Sequence, residues 1–413
     1  MRTKASKDDK ARVEEDMGRS SMVFLLIAVV SAIACDKFVD NNVTVAPRDM
    51  TEVSFLTFNA GLDPQGVLNY ADRKKALPQA LYDTGADILC LQEVWKEADQ
   101  KEIIANLKEV FPYRFYKTTK QEALDPIPAP CTEEDLTPMA MCYFANCSET
   151  DPSDVMAIGL CLLTNCVTEI TGIPAECRDC LIGAISSGSA DLTGIMAECT
   201  GEQEATEMAQ GGNNGLLLLS NLPLKGAKLE KFESFFYQRA YIYAIATHPM
   251  FGDIEVVCSQ FTDAVPGMTY EGTVGSWQGE TAAQAQAIID LAAGKDTVLR
   301  VLMGDLAAGP AIGRGIKAKN PSIYDMLYYA YYYNPFIEPE NAAPACTLCA
   351  DNVLSAAETQ DTITDHVLFT PFDGLDLAAE RVLDAGFVLT DKAGKEKTIQ
   401  YSDHYGIKAT LSR

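Results

Sequence analysis

Acidic and amide side chains recur where short apolar runs of the sequence end, and such an arrangement can bind a metal ion. The amide Asn59 ends the first run, and the carboxylate Glu93 follows the next one. Asp305 and Asp365 flank later runs, and Ser402-Asp403-His404 lies near the end of the chain. Carboxylate and amide oxygens are suitable ligands for Mg²⁺, and an imidazole beside an acid can activate water. The set is therefore suited to Mg²⁺-assisted hydrolysis of a phosphoester.

Strand-like and helix-like segments must position these residues. The apolar runs at 53–58 and 88–91 predict buried strands, and the periodicity of 101–110 predicts a helix. Short strands mixed with a few helices, without strict strand–helix alternation, favour a layered α/β sandwich over a doubly wound sheet. Further strands are predicted at 216–219, 240–247, 254–258, 298–303, 366–369 and 407–411, and further helices at 77–82 and 281–293.

The order of these motifs along the chain and the residues within them resemble those of the endonuclease/exonuclease/phosphatase superfamily, which includes DNase I and neutral sphingomyelinases. The resemblance covers about Val53–Leu411 without a Cys-rich segment, and Gln92-Glu93 and Ser402-Asp403-His404 are its most specific parts. It implies a fold of class α/β: a four-layer α/β/β/α sandwich of the DNase I-like type with a small disulfide-stapled helical insertion.

The resemblance also implies a metal site and a general base. Asn59 and Glu93 would bind the metal ion, Mg²⁺ or Mn²⁺, and Asp403 would lie close to it. His404 would be the general base, and Asp365 would orient its imidazole. These residues form the half of the site that activates water.

The half that should hold the phosphate departs from the family pattern. Asp305 would position the water or the phosphate, and Arg239 stands near a position that often carries a basic residue and would bind substrate. The family usually has a Thr-His-Leu-like motif where Gln260 stands, and an Asn where Ala307 stands. Gln260 can still donate a neutral hydrogen bond, whereas Ala307 cannot. Losing one such donor typically lowers the rate by about 10²–10³.

Two functions fit this pattern. The first is an exported Mg²⁺-dependent phosphodiester or phosphomonoester hydrolase with weakened activity, which the retained acids and base favour. The alternative is a catalytically inactive binding protein that keeps the fold and uses the Cys-rich insertion as its interaction module. The net charge of −25, from 58 acidic and 33 basic side chains, disfavours duplex nucleic acid as a partner. A phosphorylated small molecule or a lipid headgroup is the expected partner, and no oligomer is predicted.

The N-terminal segment is typical of export. Residues 22–34 form an apolar run that is too short to span a bilayer comfortably, and Arg19 precedes it. Ala32-Ile33-Ala34-Cys35 resembles a bacterial lipobox, in which the Cys is lipidated after cleavage, and a plain secretory signal peptide is the alternative. We expect a cell-envelope lipoprotein, periplasmic or on the outer surface and attached to the membrane through Cys35, or otherwise a secreted protein.

Cysteine usage agrees with export, because the chain has 13 Cys. Cys90 and Cys258 lie in apolar strand-like runs and are predicted to be buried thiols, which with a lipidated Cys35 leaves an even number for disulfides. Zinc is the alternative for the two Cys-x-x-Cys pairs, although the Cys-rich segment contains no His. The cysteines predicted to form disulfides are 131, 142, 147, 161, 166, 177, 180, 199, 346 and 349.

Composition also divides the chain. The Cys-rich segment contains helix-like stretches near 133–147, 154–166, 175–185 and 191–199, and it repeats the spacing Cys-x4-Cys. The predicted units are an export segment at 1–35, a tether at 36–51, the main domain at 52–130 and 201–413, and the helical insertion at 131–200.

Overall fold

The computed structural model describes most of the chain from Thr51 onward. The described residues are 51–64, 66–120, 129–148, 150, 158, 161–162, 164–174, 177–178, 180–181, 196, 199–200, 208–265, 268–293, 299–313, 315–330, 333–338, 345–356, 358–370, 374–390 and 394–413. The export segment, its Cys35 and nearly all of the tether lie outside these residues. Among the described residues, no helix has the length and apolar character needed to cross a bilayer.

The elements of the described chain are labelled in chain order. The helices are α1 (Tyr70–Asp83), α2 (Glu97–Leu107), α3 (Glu133–Asn146), α4 (Val167–Gly172), α5 (Trp277–Ala292) and α6 (Pro321–Tyr329). The strands are β1 (Glu52–Asn59), β2 (Ile88–Gln92), β3 (Tyr113–Phe115), β4 (Leu217–Ser220), β5 (Leu224–Lys231), β6 (Ala240–His248), β7 (Gly252–Gln260), β8 (Arg300–Asp305), β9 (Asp365–Phe369), β10 (Asp376–Val382), β11 (Phe387–Thr390), β12 (Glu396–Ile399) and β13 (Gly406–Ser412).

Two sheets carry the predicted motifs. The first has the order β10-β13-β1-β2-β4-β3, and its central strands β1 and β2 run parallel. The second has the order β5-β6-β7-β8-β9, with β7 and β8 parallel. Nearly every side chain of β1, β2, β7 and β8 is buried, as is typical of strands that are covered on both faces. The strands β11 and β12 form a separate two-stranded ribbon.

The sheets pack face to face, and helices cover their outer faces. β1 packs on β8 and β9, and Phe55 meets Phe369 edge to face, with ring centroids 5.6 Å apart. Leu77 of α1 and Ile103 of α2 belong to the apolar cluster on one outer face, and Ile288 of α5 belongs to the cluster on the other. This architecture confirms the predicted α/β/β/α sandwich. Its stability comes from burying three apolar interfaces.

Disulfides hold the helical segment that precedes β4. α3 begins with a capping box formed by Thr132 and Asp135, and its cysteines pair with the second Cys-x4-Cys repeat in antiparallel order. Residues 131 and 199 are also joined by a backbone hydrogen bond of 3.0 Å. The bonds in this segment are Cys131–Cys177, Cys142–Cys166, Cys147–Cys161 and Cys180–Cys199. The bounds 131–200 of a separate insertion stay a prediction.

The zinc alternative is wrong for both Cys-x-x-Cys pairs. Cys177 and Cys180 belong to two different disulfides, and Cys346 is bonded to Cys349. A sulfur atom in a disulfide cannot serve as a thiolate ligand. The disulfides of the described residues are typical of a protein that folds in an oxidising, extracellular-type compartment.

The prediction that Cys90 and Cys258 are free buried thiols is wrong. The two residues are fully buried, but they form a disulfide with each other. Cys90 lies on β2 of the first sheet and Cys258 on β7 of the second, so the bond joins the two sheets through the core. Their apolar neighbours reflect this position between the sheets. Nothing in the local sequence indicates a partner 168 residues away.

We expect removal of this bond to cost much of the stability of the sandwich. The variant Cys90→Ala/Cys258→Ala should lose about 2–5 kcal/mol in free energy of unfolding, because the bond closes a long loop in the unfolded chain. The control Cys346→Ala/Cys349→Ala, whose sulfurs close a separation of 3 residues, should lose much less. Urea denaturation of the oxidised proteins measures both values. Equal losses in the two variants would contradict the prediction.

Candidate active site

The predicted site residues meet at one edge of the sandwich because the strands that carry them end or begin there. Asn59 is paired with Gln92 in the first sheet. Asp305 is paired with both Gln260 and Asp365 in the second sheet. Packing the two sheets face to face therefore brings amide and acidic groups from both sheets together.

Two amide side chains bridge two acids across the sheets. The Nδ2 of Asn59 donates to the Oε1 of Glu93 at 3.1 Å and to the Oδ2 of Asp305 at 3.0 Å. The Nε2 of Gln260 donates to the same Glu93 oxygen at 2.7 Å and lies 3.4 Å from the Oδ2 of Asp305. The Oδ1 of Asn59 accepts from the backbone N–H of Gly61, which orients the amide hydrogens toward the acids.

His404 and Asp365 form a buried dyad beside these acids. The Nδ1 of His404 lies 2.8 Å from the Oδ2 of Asp365. One nitrogen of His404 and one oxygen from each of Asp305 and Asp365 lie within 4.8 Å of one another. Burial alone would lower the pKa of His404, but the charges of Asp365 and Asp305 raise it well above its ordinary value. The imidazole is therefore oriented and made more basic by the acids around it.

A turn closed by a disulfide is hydrogen-bonded to both segments that supply the dyad. The Oγ1 of Thr347, between Cys346 and Cys349, accepts from the backbone N–H of Asp365 at 3.2 Å. The carbonyl oxygen of Thr347 accepts from the backbone N–H of Tyr405 at 2.8 Å, directly after His404 in the chain. One fully buried residue thus connects, through its side chain and its backbone, the two segments that supply the dyad.

Arg73 holds together the backbone segments next to the site. Burial lowers the pKa of this fully buried guanidinium to about 10, while nearby Asp403, Glu93 and Asp63 favour its charged form. It remains a cation at neutral pH, and its charge helps to offset those acids. Its hydrogen bonds go to the backbone oxygens of Ala60, Gly61, Val67, Leu68 and Tyr401.

Asp403 is half-buried, and its charge acts on both Arg73 and His404. Its Oδ1 accepts from the Oγ of Ser402 at 3.0 Å, and its loop passes close to Gly61. A Cβ at Gly61, whose φ is +51°, would approach the Oδ1 of Asp403 to 2.7 Å. Only glycine fits this approach without displacing the acid.

Glu93 is a half-buried acid in an unusual backbone conformation. Its φ is 56°, in the left-handed region. Burial raises the pKa of Glu93, the charge of Asp403 adds to this effect, and the charge of Arg239 opposes it. A divalent cation would relieve the same desolvation, because it would replace water as a partner of the carboxylate.

Arg239 fixes the orientation of Gln260. Its Nη1 donates to the Oε1 of Gln260 at 2.5 Å, which leaves the Nε2 of Gln260 facing Glu93. The guanidinium lies over the rings of Tyr237 and Trp95, at 5.0 and 5.7 Å from their centroids. Arg239 is only 4% exposed, so it forms part of the wall of the site.

The loop after β8 keeps its shape although Ala307 has no polar side chain. Ala307 has a φ of 48°, and its backbone N–H donates to the Oδ1 of Asp305 at 3.2 Å. Asn320 donates to the Ala307 carbonyl at 2.9 Å. His366 lies 2.7 Å from the next carbonyl, that of Ala308. The carbonyls are therefore fixed, and the only group missing at position 307 is a side-chain donor.

The donor set fits a hard divalent cation. Asp305 and Asp365 offer carboxylate oxygens and His404 an imidazole nitrogen within one cluster, and Glu93 shares the amide of Asn59 with Asp305. Asn59 presents its N–H to the acids, so it could coordinate a cation only with its Oδ1 turned inward. The ligand roles assigned to Asn59, Glu93 and Asp403 stay predictions.

All of the predicted site residues other than Cys35 lie at this edge. Sequence reasoning missed the residues that support them, because their roles depend on which loops meet in the fold. Arg73 lies in an ordinary helical pattern, and Thr347 lies between two cysteines with no polar neighbour. Among these supporting residues, only Tyr237 could have been found from the sequence, because it lies two residues before the predicted site residue Arg239.

Comparisons with known proteins address the family and the fold. The model of the Endonuclease/Exonuclease/phosphatase family matches residues 56–404. No curated protein sequence matches the chain.

Several solved structures share the fold. SmcL is 11% identical, covers 88% of this chain and 99% of its own, and has a TM-score of 0.53. A variant of beta toxin from Staphylococcus aureus with bound magnesium ions is 13% identical, covers 88% of this chain and 100% of its own, and has a TM-score of 0.51. Sphingomyelinase C from Streptomyces griseocarneus is 14% identical, covers 87% and 99%, and has a TM-score of 0.50.

His366 makes stability depend on pH. The side-chain amide of Asn334 donates to the Nδ1 of His366 at 3.0 Å, so Nδ1 carries no proton. The proton of the ring is on Nε2, which donates to the carbonyl of Ala308. The imidazole is therefore neutral in the folded protein. Burial lowers its pKa to about 4, against 6.5 for an ordinary His. Between pH 6.5 and pH 4 this His is protonated in the unfolded chain but not in the folded protein. The free energy of unfolding should therefore fall as the pH drops from 7 toward 4, and this group contributes up to about 3 kcal/mol to the fall.

The variant His366→Gln should be less stable at pH 7 and show a shallower fall on acidification. Urea denaturation at pH 7 and pH 5 measures the difference from the unsubstituted protein. His248→Gln is the comparison variant: His248 is also buried and burial also lowers its pKa, but its ring accepts from the backbone of the exposed turn after β6, so the fall should stay steeper than for His366→Gln. A fall for His366→Gln as steep as in the unsubstituted protein would contradict the assignment.

Proposed function

We propose that this chain, which belongs to the endonuclease/exonuclease/phosphatase family, is a metal-dependent phosphoester hydrolase with weakened activity. The observation that carries the proposal is the contact of 2.8 Å between Asp365 and His404, formed beside Glu93 and Asp305. A general base with an acid partner, next to oxygen ligands for a cation, is the arrangement that hydrolysis of a phosphoester requires.

The residues of the dyad move the proton. In its neutral form, with its Nδ1–H directed to Asp365, His404 presents Nε2 to the site, where it accepts a proton from the attacking water. Asp365 holds the ring in this tautomer and stabilises the imidazolium that forms. Glu93 and Asn59, with Asp403 nearby, would hold Mg²⁺ or Mn²⁺, which supplies positive charge to the phosphoryl oxygens.

The phosphate side of the site accounts for the weakened activity. Gln260 is hydrogen-bonded to both Arg239 and Glu93, so its amide is engaged within the site. Ala307 contributes only backbone groups to the loop after β8. Catalysis of phosphoryl transfer depends on donors aimed at the phosphoryl oxygens, and fewer are available here.

Charge and disulfides indicate the substrate and the place of action. The acidic chain disfavours duplex nucleic acid, so we propose a phosphorylated small molecule or a lipid headgroup as substrate. The similarity to a protein named sphingomyelinase C supports the headgroup. We further propose that the protein is exported and attached to the membrane through Cys35.

The second candidate is a binding protein with this fold. It is favoured by the amides of Asn59 and Gln260, which satisfy Glu93 and Asp305 without a cation. In that case the acids would be structural, and the Cys-rich segment would make the functional contacts.

An activity assay separates the two functions. The oxidised protein with Mg²⁺ or Mn²⁺ should hydrolyse bis-p-nitrophenyl phosphate, measured as release of p-nitrophenolate. His404→Ala or Glu93→Ala should lower the rate by about 10²-fold or more, because each removes a group that acts on the reacting atoms. His248→Ala, outside the site, should keep the rate. If the unsubstituted protein is no faster than His404→Ala, the hydrolase is excluded and the binding protein is favoured.

Restoring the family donors should strengthen the catalysis. Gln260→His/Ala307→Asn should raise kcat by about tenfold or more, because each side chain adds a donor to the phosphate side. Asn also tolerates the φ of 48° at position 307. The same substitutions in a His404→Ala background should stay inactive. A double variant that folds normally and gains nothing would show that these positions do not limit the rate.

A further inference from the structure

Lys319 lies against the loop that contains Ala307. Its backbone N–H and carbonyl exchange hydrogen bonds with those of Gly309, at 3.0 and 2.7 Å. Gly309 itself is pressed against the carbonyl of Ile363, which a Cβ would approach to 1.8 Å. The backbone position of Lys319 relative to Asp305 and Ala307 is therefore fixed.

The ammonium group of Lys319 reaches across to the loop after β7. Its Nζ forms an ion pair with the carboxylate of Asp263, three residues beyond Gln260. The side chains are 24% and 40% exposed, so the pair lies at the surface of the site. Ion pairs with this exposure contribute little to folding and exchange partners readily.

The charge of Lys319 also acts inside the site. Burial opposes ionisation of Asp305, but the charges of His404 and then Lys319 hold its pKa below the usual value. The ammonium group is thus close enough to the acid that ends β8 to favour its charged form, and its backbone is paired with Gly309 of the loop that contains Ala307. Two further cations near the acids are engaged elsewhere: Arg239 is 4% exposed and bonded to Gln260, and Arg73 is fully buried and bonded to backbone carbonyls.

We propose that Lys319 binds a phosphoryl oxygen of the ligand, leaving Asp263 when the phosphate enters. Lys319 then supplies, from the loop before α6, positive charge to the phosphate side of the site. The ammonium group is a mobile point charge on a flexible stem, which suits an exchange between a carboxylate and a phosphate. The inference deepens the proposed function, on which it rests for the presence of a phosphoester.

Binding of inorganic phosphate tests the proposal without turnover. Phosphate is titrated calorimetrically into the oxidised full chain in the presence of Mg²⁺. Lys319→Met should raise the Kd about tenfold or more, because a charge-assisted hydrogen bond is lost. Lys319→Arg should keep most of the affinity. Lys317→Met, at an exposed position of the same loop, is the matched control and should bind as the unsubstituted protein does.

Asp263→Asn separates binding from a purely structural ion pair. If Lys319 binds phosphate, freeing it from Asp263 should leave the affinity unchanged or increase it. If the pair only holds the two loops together, Asp263→Asn and Lys319→Met should weaken binding equally, and the proposal is wrong. Unchanged phosphate affinity in Lys319→Met, or no phosphate binding by the unsubstituted protein, would also overturn it.

Phosphocholine, titrated in parallel, distinguishes a lipid headgroup from the free ion. Whichever ligand binds, its affinity must depend on Lys319. The outcome is also independent of the hydrolase assay. A protein that binds phosphate through Lys319 but does not turn over supports this inference and excludes the hydrolase. If the unsubstituted protein hydrolyses the substrate and the Lys319→Met variant binds phosphate as tightly as the unsubstituted protein, the hydrolase is supported and this inference is excluded.

Discussion

Three acids are held at one edge of the sandwich, Asp305 and Asp365 buried and Glu93 half-buried, and the surrounding structure must offset their charge. An ionised carboxylate away from water is costly unless it has donors or opposite charge nearby. Asn59 and Gln260 donate to two of the acids, and His404 faces the third. These contacts come from both sheets, so the charge is balanced only when the sandwich is assembled. The site and the fold are therefore stabilised by the same contacts.

The scaffold converts this constraint into fixed positions. Arg73 reaches the carbonyls of two loops, one after β1 and one before β13, and brings a buried positive charge to the acids. Thr347 connects the two segments of the dyad. The disulfide between Cys90 and Cys258 joins the strands that end at Gln92 and Gln260. Both strand ends are thus held at a constant separation, which the hydrogen bond from Gln260 to Glu93 requires.

Sequence patterns predicted the buried strands and the edge at which they end, because apolar runs and polar strand ends are local properties. They did not predict β10, whose residues alternate between exposed and half-buried and include Glu380 and Arg381. They also mistook Cys90 for a thiol, since a disulfide partner on the other sheet leaves no local signal. Arg73 and Lys319 were missed for the same reason: a cation in a helix or loop is ordinary until the fold shows which acids and carbonyls it meets.

In the loop after β8, the backbone conformation at position 307 does not depend on the chemistry of the side chain there. A left-handed φ costs about 1–2 kcal/mol for a residue with a Cβ, and it persists where the surroundings fix it. Here Asn320 and His366 hold the carbonyls of Ala307 and Ala308, and neither contact uses the side chain at position 307. The backbone conformation is thus independent of whether that side chain can donate. Loss of the donor therefore removes one contact to the phosphate and leaves Asp305 in place, so a cation from a neighbouring loop can act on the same phosphate.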